Sequence, residues 1–203
     1  MILIPPEGLL SKIWGDEKVS LILASASPRR RELLSLLTSD FTVIPAQGKE
    51  KADTSLPPEM LVQELAKQKA AEVAASHPHA VVIGADTLVF LGKKIMGKPV
   101  DTDDAKRMLT LLSGNTHTVI TAVAIAQNGA VTKVFAEKTK VKFFPLTADE
   151  IIAYIVTGEP MDKAGAYGIQ DKGALLVKGI TGDYYNVMGL PIGRLYRELK
   201  SLL

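Results

Sequence analysis

The spacing of apolar and polar positions changes period several times along the chain, and each change marks an element. Ser20 to Ala24 (SLILA) is a continuous apolar run and predicts a buried strand. A helix follows from Pro28 to about Leu37, with Leu33, Leu34 and Leu37 on one face. A second helix runs from about Pro58 to Ser76, and its stripe of Leu61, Leu65 and Val73 at i, i+4 spacing contains Lys69. Ala80 to Ala85 reads as another buried strand and Leu88 to Ile95 as a short hairpin around Gly92. Thr102 to Ser113 is a helix with acids at its start and Gly114 after its end. Strands alternating with helices favour an α/β domain with a largely connected sheet.

Beyond residue 115 the pattern becomes that of antiparallel strands. Thr118 to Ala126 and Val131 to Ala136 flank Asn128-Gly129, a strong hairpin signal. In Lys138 to Phe143, Lys138, Lys140 and Lys142 alternate with Thr139, Val141 and Phe143, so one face is wet. Thr147 and Glu150 predict a capping box for a helix ending near Gly158. A glycine-dense stretch to Gly189 follows, and Pro191 opens a closing helix. Residues 1–19 read as an N-terminal extension that Leu9, Leu10, Ile13 and Trp14 could dock; residues 20–203 read as one domain of two lobes.

Composition narrows the picture. The 203 residues carry 24 Lys plus Arg against 22 Asp plus Glu, net +2, with 47% hydrophobic residues, enough for a self-sufficient core. Near-neutrality argues against a chain built to coat nucleic acid but leaves room for a small anion with a counter-ion. The absence of cysteine excludes disulfides, zinc–thiolate sites and thiol catalysis. No run approaches the roughly 18 apolar residues of a membrane span. With no leader pattern at the start, a cytoplasmic protein is expected.

Several constellations could carry chemistry. In Ser25-Ala26-Ser27-Pro28-Arg29-Arg30-Arg31, Ser27 suits an N-cap and Pro28 the first helical position, so the arginines fall in the first turn. Cations there oppose the helix dipole: an anion on the free N–H groups would reverse the sign, or the arginines splay into solvent or pair with carboxylates. Lys69 within its apolar stripe must snorkel, pair or face a cleft. Asp86 follows an aliphatic run and is expected at a strand's end, as a metal ligand, a base for water, or a turn residue. Gly92 to Pro99 nearly spells a phosphate-binding loop. Pro99, however, has neither the hydroxyl nor the N–H that such a loop needs, which leaves Lys98 as a point charge. His77 and His79 read as exposed loop residues, and His117 as a strand cap. Between Gly158 and Gln170, the glycines at 165 and 168 permit close backbone approach, and Gln170 offers a donor and an acceptor suited to a base edge.

In combination, Ser25-x-Ser27-Pro28-Arg29-Arg30, Gly84-Ala85-Asp86-Thr87, Gly97-Lys98-Pro99, Ser113-Gly114-x-x-His117 and the run from Glu159 to Gln170 closely resemble the Maf family of septum-formation-inhibitor-like nucleoside triphosphate pyrophosphatases. The resemblance runs from about Leu21 to the end of the chain. It implies an elongated α/β fold, a mixed sheet with flanking helices and two lobes around a substrate cleft, often as a homodimer. It also implies hydrolysis of a nucleoside triphosphate to the monophosphate and pyrophosphate with Mg²⁺ or Mn²⁺, a house-cleaning activity.

By that resemblance Asp86 is the proton acceptor for the attacking water. Arg29, Thr87 and Gln170 match positions of substrate choice in the dTTP/UTP branch. Lys69 and Lys98 match motif lysines on phosphates, with Ser27 and Arg30 beside them, and Glu50 and Asp86 are the metal-side carboxylates. Where the family usually has an Asp-Glu pair, this chain has Lys49-Glu50, one carboxylate fewer. The family's name also suggests a rival: a non-catalytic regulator of septum formation that binds nucleotide or nucleic acid. In that reading Lys138, Lys140 and Lys142 would face the polyanion, although lysines on a sheet are more often a guard against edge pairing.

Overall fold

The computed structural model describes residues 20–202. The extension expected over residues 1–19 lies outside the described residues. In chain order the elements are β1 (Ser20–Leu23), α1 (Pro28–Ser35), β2 (Thr42–Val43), α2 (Pro58–Ser76), β3 (Ala80–Leu91), β4 (Lys94–Met96), α3 (Thr102–Leu112), β5 (Thr116–Gln127), β6 (Ala130–Phe143), α4 (Ala148–Val156), β7 (Val177–Thr181), α5 (Tyr184–Met188) and α6 (Ile192–Lys200). Short 3₁₀ turns fill much of the stretch between α4 and β7. The mixed sheet has the order β2-β1-β3-β5-β6-β7, with β4 on β3.

The chain divides into two compact units, and β3, β5 and β6 each contribute to both. The first comprises residues 20–86, 122–136 and 189–202. Here β1 runs parallel to both β2 and β3, in register Leu21↔Val81 and Ile22↔Val82 on the β3 side. Parallel pairing requires crossovers, and α1 and α2 supply them. Leu33 and Leu34 of α1 are buried, as are Leu61, Leu65 and Val73 of α2, which is the predicted stripe. Gly84 sets the depth of α2 on the sheet: a Cβ there would stand 2.6 Å from both Ala66 O and Ala70 N. A strand glycine facing helix alanines thus lets two backbones approach closely.

The second unit comprises residues 87–121 and 137–188. Its core gathers Met108, Leu109 and Leu112 of α3 with Val141 and Phe143 of β6, Ile151 and Tyr154 of α4, and Tyr167. β4 pairs antiparallel with Val89–Leu91 around Gly92, and β7 with β6. Thr139, Val141 and Phe143 are fully buried while Lys138, Lys140 and Lys142 are exposed, the alternation the sequence predicts. The capping box at Thr147 and Glu150 is complete, and Gly158 ends the segment after α4 in the left-handed region at φ 76°.

Three expectations are corrected. Asp86 is not at a strand's end but inside the twelve-residue β3, because Thr87 to Leu91 continue the ladder onto β4. The segments at 131–136 and 138–143 are one strand, β6. His117 does not cap β5; it is the strand's second residue and is buried. The five-residue α5 was not legible in the sequence pattern.

Candidate active site

The close approach of α2 to β3 decides the first cluster. Gly84 and Asp86 are two apart in a strand and share a face, and Lys69 immediately precedes Ala70, which packs on Gly84. Lys69 Nζ consequently reaches Asp86 Oδ1 at 2.5 Å. The same ammonium stands 3.0 Å from Glu50 Oε1, contributed by the loop between β2 and α2. The lysine in the apolar stripe therefore pairs, with its side chain only 17% exposed. Asp86 is buried and its second oxygen, Oδ2, has no hydrogen-bond partner among the described residues. A buried carboxylate oxygen left unpaired is costly, and it marks a place where a water, a cation or a substrate group is expected.

The second cluster forms where β1 turns into α1. Ser27 caps the helix by accepting from Arg30 N at 3.4 Å, as expected. Arg30 curls back instead of pointing along the dipole: Nε donates to Gly189 O at 2.8 Å and Nη1 to Ser25 Oγ at 3.1 Å. Ser25 Oγ also accepts from Ser27 N at 3.3 Å, so both lone pairs are engaged and its proton is left to donate. Burial lowers the Arg30 pKa from its ordinary value, opposed by the charge of Asp86, and the Arg29 cation lowers it further. Arg30 thus senses Asp86 and Glu50 electrostatically and is held by a carbonyl and a serine. Arg29 is half-buried.

Alternation along β3 sends Thr87 to the face opposite Asp86. There Thr87 Oγ1 lies 2.9 Å from Thr121 Oγ1. Thr121 Oγ1 donates its one proton to the Asn186 carbonyl at 2.7 Å, so in the Thr87 contact the donor is Thr87. Asn186 is fully buried; its Oδ1 accepts from Thr121 N at 3.0 Å, and its Nδ2 donates to Val119 O at 3.1 Å and to Thr139 Oγ1 at 2.9 Å. This network fixes the polarity of the Thr87 hydroxyl: toward any further partner it offers lone pairs only.

The remaining candidates belong to loops of the same unit. Gly165 donates its N–H to Gly97 O at 2.9 Å, which ties the segment bearing exposed Lys98 to the glycine-rich run. Gly165 adopts φ +73°, and a Cβ there would meet Val89 Cγ1 at 3.1 Å. Gln170 is half-buried, and its side chain does not cap the 3₁₀ turn that follows. Tyr167 is buried and its hydroxyl is 2.7 Å from His117 Nε2. Burial alone pushes the His117 pKa down to about 4. Burial also raises that of Tyr167.

The donor set fits a divalent cation. Asp86 and Glu50 both face the Lys69 cation, and Asp86 Oδ2 is uncommitted. Among the described residues no three His, Asp or Glu side chains form a ready-made metal cage. Two carboxylates suit Mg²⁺ or Mn²⁺, which usually keeps water and takes its other ligands from substrate phosphates. Lys49 lines the same small hollow as Glu50, Lys69 and Glu72, so this lysine sits among carboxylates.

Sequence reasoning missed Thr121 and Asn186, which lie far from Thr87 in the chain, and Ser25, which it quoted in a motif without a role. It also missed Gln68 and Glu72. Their placement beside Lys69 on α2, at i, i+4 spacing, was the available signal.

The profile of the Maf-like proteins matches residues 20–202. A protein of Bacillus velezensis named dTTP/UTP pyrophosphatase is 54% identical over 181 residues, which cover 89% of this chain and 95% of that one. One of the same name from a Geobacillus species is 53% identical over 90% of this chain and 97% of its own. The solved structure of the Staphylococcus aureus Ham1 protein aligns with 61% of this chain and 71% of its own at 16% identity, TM-score 0.43.

Proposed function

We propose, from the premise that this chain belongs to the Maf-like protein family, that it is a nucleoside triphosphate pyrophosphatase which hydrolyses dTTP and UTP to the monophosphate and pyrophosphate. The observation that carries the reading is the cluster in which Lys69 bridges Asp86 and Glu50 while Asp86 Oδ2 stays open. The names of relatives about half identical over most of their length support it.

In this reading Asp86 acts through both oxygens. Oδ1 is held by Lys69, which fixes the carboxylate, and Oδ2 takes the proton of the water that attacks the α-phosphorus. Glu50 and Asp86 would hold the divalent cation, which would supply positive charge against the triphosphate. Lys69 and Lys98, with Arg29, balance the charge that develops on departing pyrophosphate. The Ser25 hydroxyl, its lone pairs taken, donates to a phosphate oxygen, and Arg30 with Ser27 keeps that turn in shape. Thr87 reads the base as an acceptor and Gln170 as donor and acceptor. An imide N–H, present in thymine and uracil and absent from cytosine, suits the Thr87 lone pairs.

Pyrophosphate release over a panel of nucleoside triphosphates with Mg²⁺ or Mn²⁺ tests the proposal. The expected result is turnover of dTTP and UTP well above CTP and the purines. Silence across the panel with nucleotide binding retained would favour the non-catalytic regulator. Asp86→Asn should keep nucleotide binding and lose at least 100-fold in turnover, in line with removal of a general base. Substantial residual hydrolysis would remove Asp86 from that role. The reading also carries a cytoplasmic homodimer, testable by fractionation and sedimentation; among the described residues no helix is long and apolar enough to cross a membrane.

A further inference from the structure

Glu50 lies in an irregular loop, residues 44–57, and something must hold its carboxylate in place. The loop's own backbone does little of this. Ile44 N bonds Leu23 O at 3.1 Å, and Leu56 N bonds Asp53 O at 3.2 Å. Pro45 O accepts from the loop's own Gln47 Nε2 and Ser55 N donates to Asp53 Oδ1, but the backbone at 47, 48 and 51, on either side of Glu50, turns to two side chains of α2. Gln47 N donates to Glu72 Oε1 at 2.7 Å, and Gly48 N donates to both Glu72 oxygens at 3.1 Å. Lys51 N donates to Gln68 Oε1 at 2.9 Å, and Gln68 Nε2 donates back to Lys51 O at 3.0 Å.

Three features make this more than a collection of surface contacts. The clamps grip both sides of Glu50, at 47–48 and at 51. Gln68 and Glu72 stand one turn apart on the helix that also carries Lys69, the residue Glu50 meets at 3.0 Å. Position 48 is a glycine, and a Cβ there would lie 2.7 Å from Glu72 Oε2, so the carboxylate reaches the backbone across a gap that a side chain would narrow. Ala46, Gly48, Glu50, Gln68, Lys69 and Glu72 together line a cavity of about 40 Å³.

We infer that Gln68 and Glu72 are positioning residues that pin the 47–51 loop onto α2, so that the Glu50 carboxylate is presented beside Lys69 and Asp86. They touch neither substrate nor metal; they act through Glu50. The inference rests on the reading that Glu50 and Asp86 work together. Loss of the clamps frees Glu50 to swing, which weakens cation capture while leaving the Asp86 base in place.

The full-length chain and its Gln68→Ala, Glu72→Ala, Glu72→Gln and doubly substituted Gln68→Ala/Glu72→Ala forms provide the test. Amide hydrogen exchange at residues 47, 48 and 51 should accelerate at least tenfold in the alanine forms, with the melting temperature and the exchange of β3 unchanged. Calorimetric titration with Mn²⁺ alone should show affinity weakened about fivefold by each alanine. Glu72→Gln should be intermediate, because its amide oxygen still accepts. For dTTP hydrolysis, the metal concentration giving half-maximal rate should rise in parallel, with kcat at saturating metal within about twofold of the parent.

Unchanged amide exchange would overturn the inference, as would faster exchange with unchanged Mn²⁺ affinity. Loss of every readout together with the melting temperature would show a merely structural contact and overturn it too. A parent chain that binds Mn²⁺ with the expected clamp dependence yet hydrolyses no triphosphate would sink the pyrophosphatase reading while leaving the positioning role standing.

Discussion

At the scale of single residues, this protein turns on where protons and small side chains sit. Gly84 is the clearest case, since the 2.6 Å separations to Ala66 O and Ala70 N leave no room for a methyl group. Gly84→Ala must push α2 off the sheet and should cost about 3 kcal/mol, the upper end of the usual range for overpacking, because both close atoms are backbone. Chemical denaturation would measure it, and a variant of parental stability would refute the packing argument. Lys69 and Asp86 sit on either side of that contact, so a soluble Gly84→Ala chain should also lose hydrolysis. Thr121 offers a second residue-scale test. Thr121→Val removes the acceptor for the Thr87 proton and frees Thr87 to donate. Discrimination of UTP over CTP, read as the ratio of kcat/KM, should fall about fivefold, the worth of roughly one net hydrogen bond. An unchanged ratio would mean that Thr87 does not read the base.

At the scale of elements, local signals and long strands tell different stories. The α4 cap is purely local: Thr147 accepts from Glu150 N, and Glu150 accepts from Thr147 N. The Thr147 N–H and, after it, the Thr147 hydroxyl donate to the Glu150 carboxylate and lower its pKa from the ordinary value. Thr147→Ala should cost about 1 kcal/mol and lower the melting temperature by about 2–4 °C without affecting turnover. The element-scale surprise is β3. Its aliphatic run stops at Ala85, and Asp86-Thr87 reads as a strand ending in a turn. The strand continues because β4 folds back on Val89–Leu91 and because each polar side chain finds a partner on its own face.

At the scale of the whole molecule, net charge and pH behaviour conceal separated charges. A net of +2 is an average over Lys69, Lys98 and the arginines on one side of the ledger and Glu50 and Asp86 on the other. If these cations meet the triphosphate, KM for dTTP should rise several-fold between about 50 and 500 mM KCl, since screening tightens over that range. A flat KM would argue against charge-led binding.

Stability should carry the signature of His117. Its folded pKa, pushed down to about 4 by burial, lies below the unfolded value near 6.5. The unfolded chain therefore binds a proton that the folded chain refuses. The contribution is fully present above about pH 6.5 and is lost as pH falls toward 4, by about 3 kcal/mol in all. Comparing urea unfolding of the parent and His117→Gln between pH 7 and 4 isolates this slope, because the carboxylates contribute to both. Parallel stability–pH curves would show that His117 titrates normally.

What the sequence determined by itself follows from short-range physics. Apolar period, caps and turn residues placed α2 with its observed bounds, the Asn128-Gly129 hairpin, the Thr147 cap and the wet lysine face of β6, because each depends on residues within a few positions of one another. Motif spacing brought the family and its candidate residues into view, Lys69 and Asp86 among them. Tertiary structure alone decided what each candidate touches. Gly84 against Ala66 and Ala70 brings Lys69 to Asp86, Arg30 turns back to Gly189 and Ser25, and Asn186 fixes the proton of Thr87 through Thr121. Such partners lie up to 159 positions apart, and no local pattern encodes them. They exist because buried polar groups must find partners wherever the packed chain supplies them.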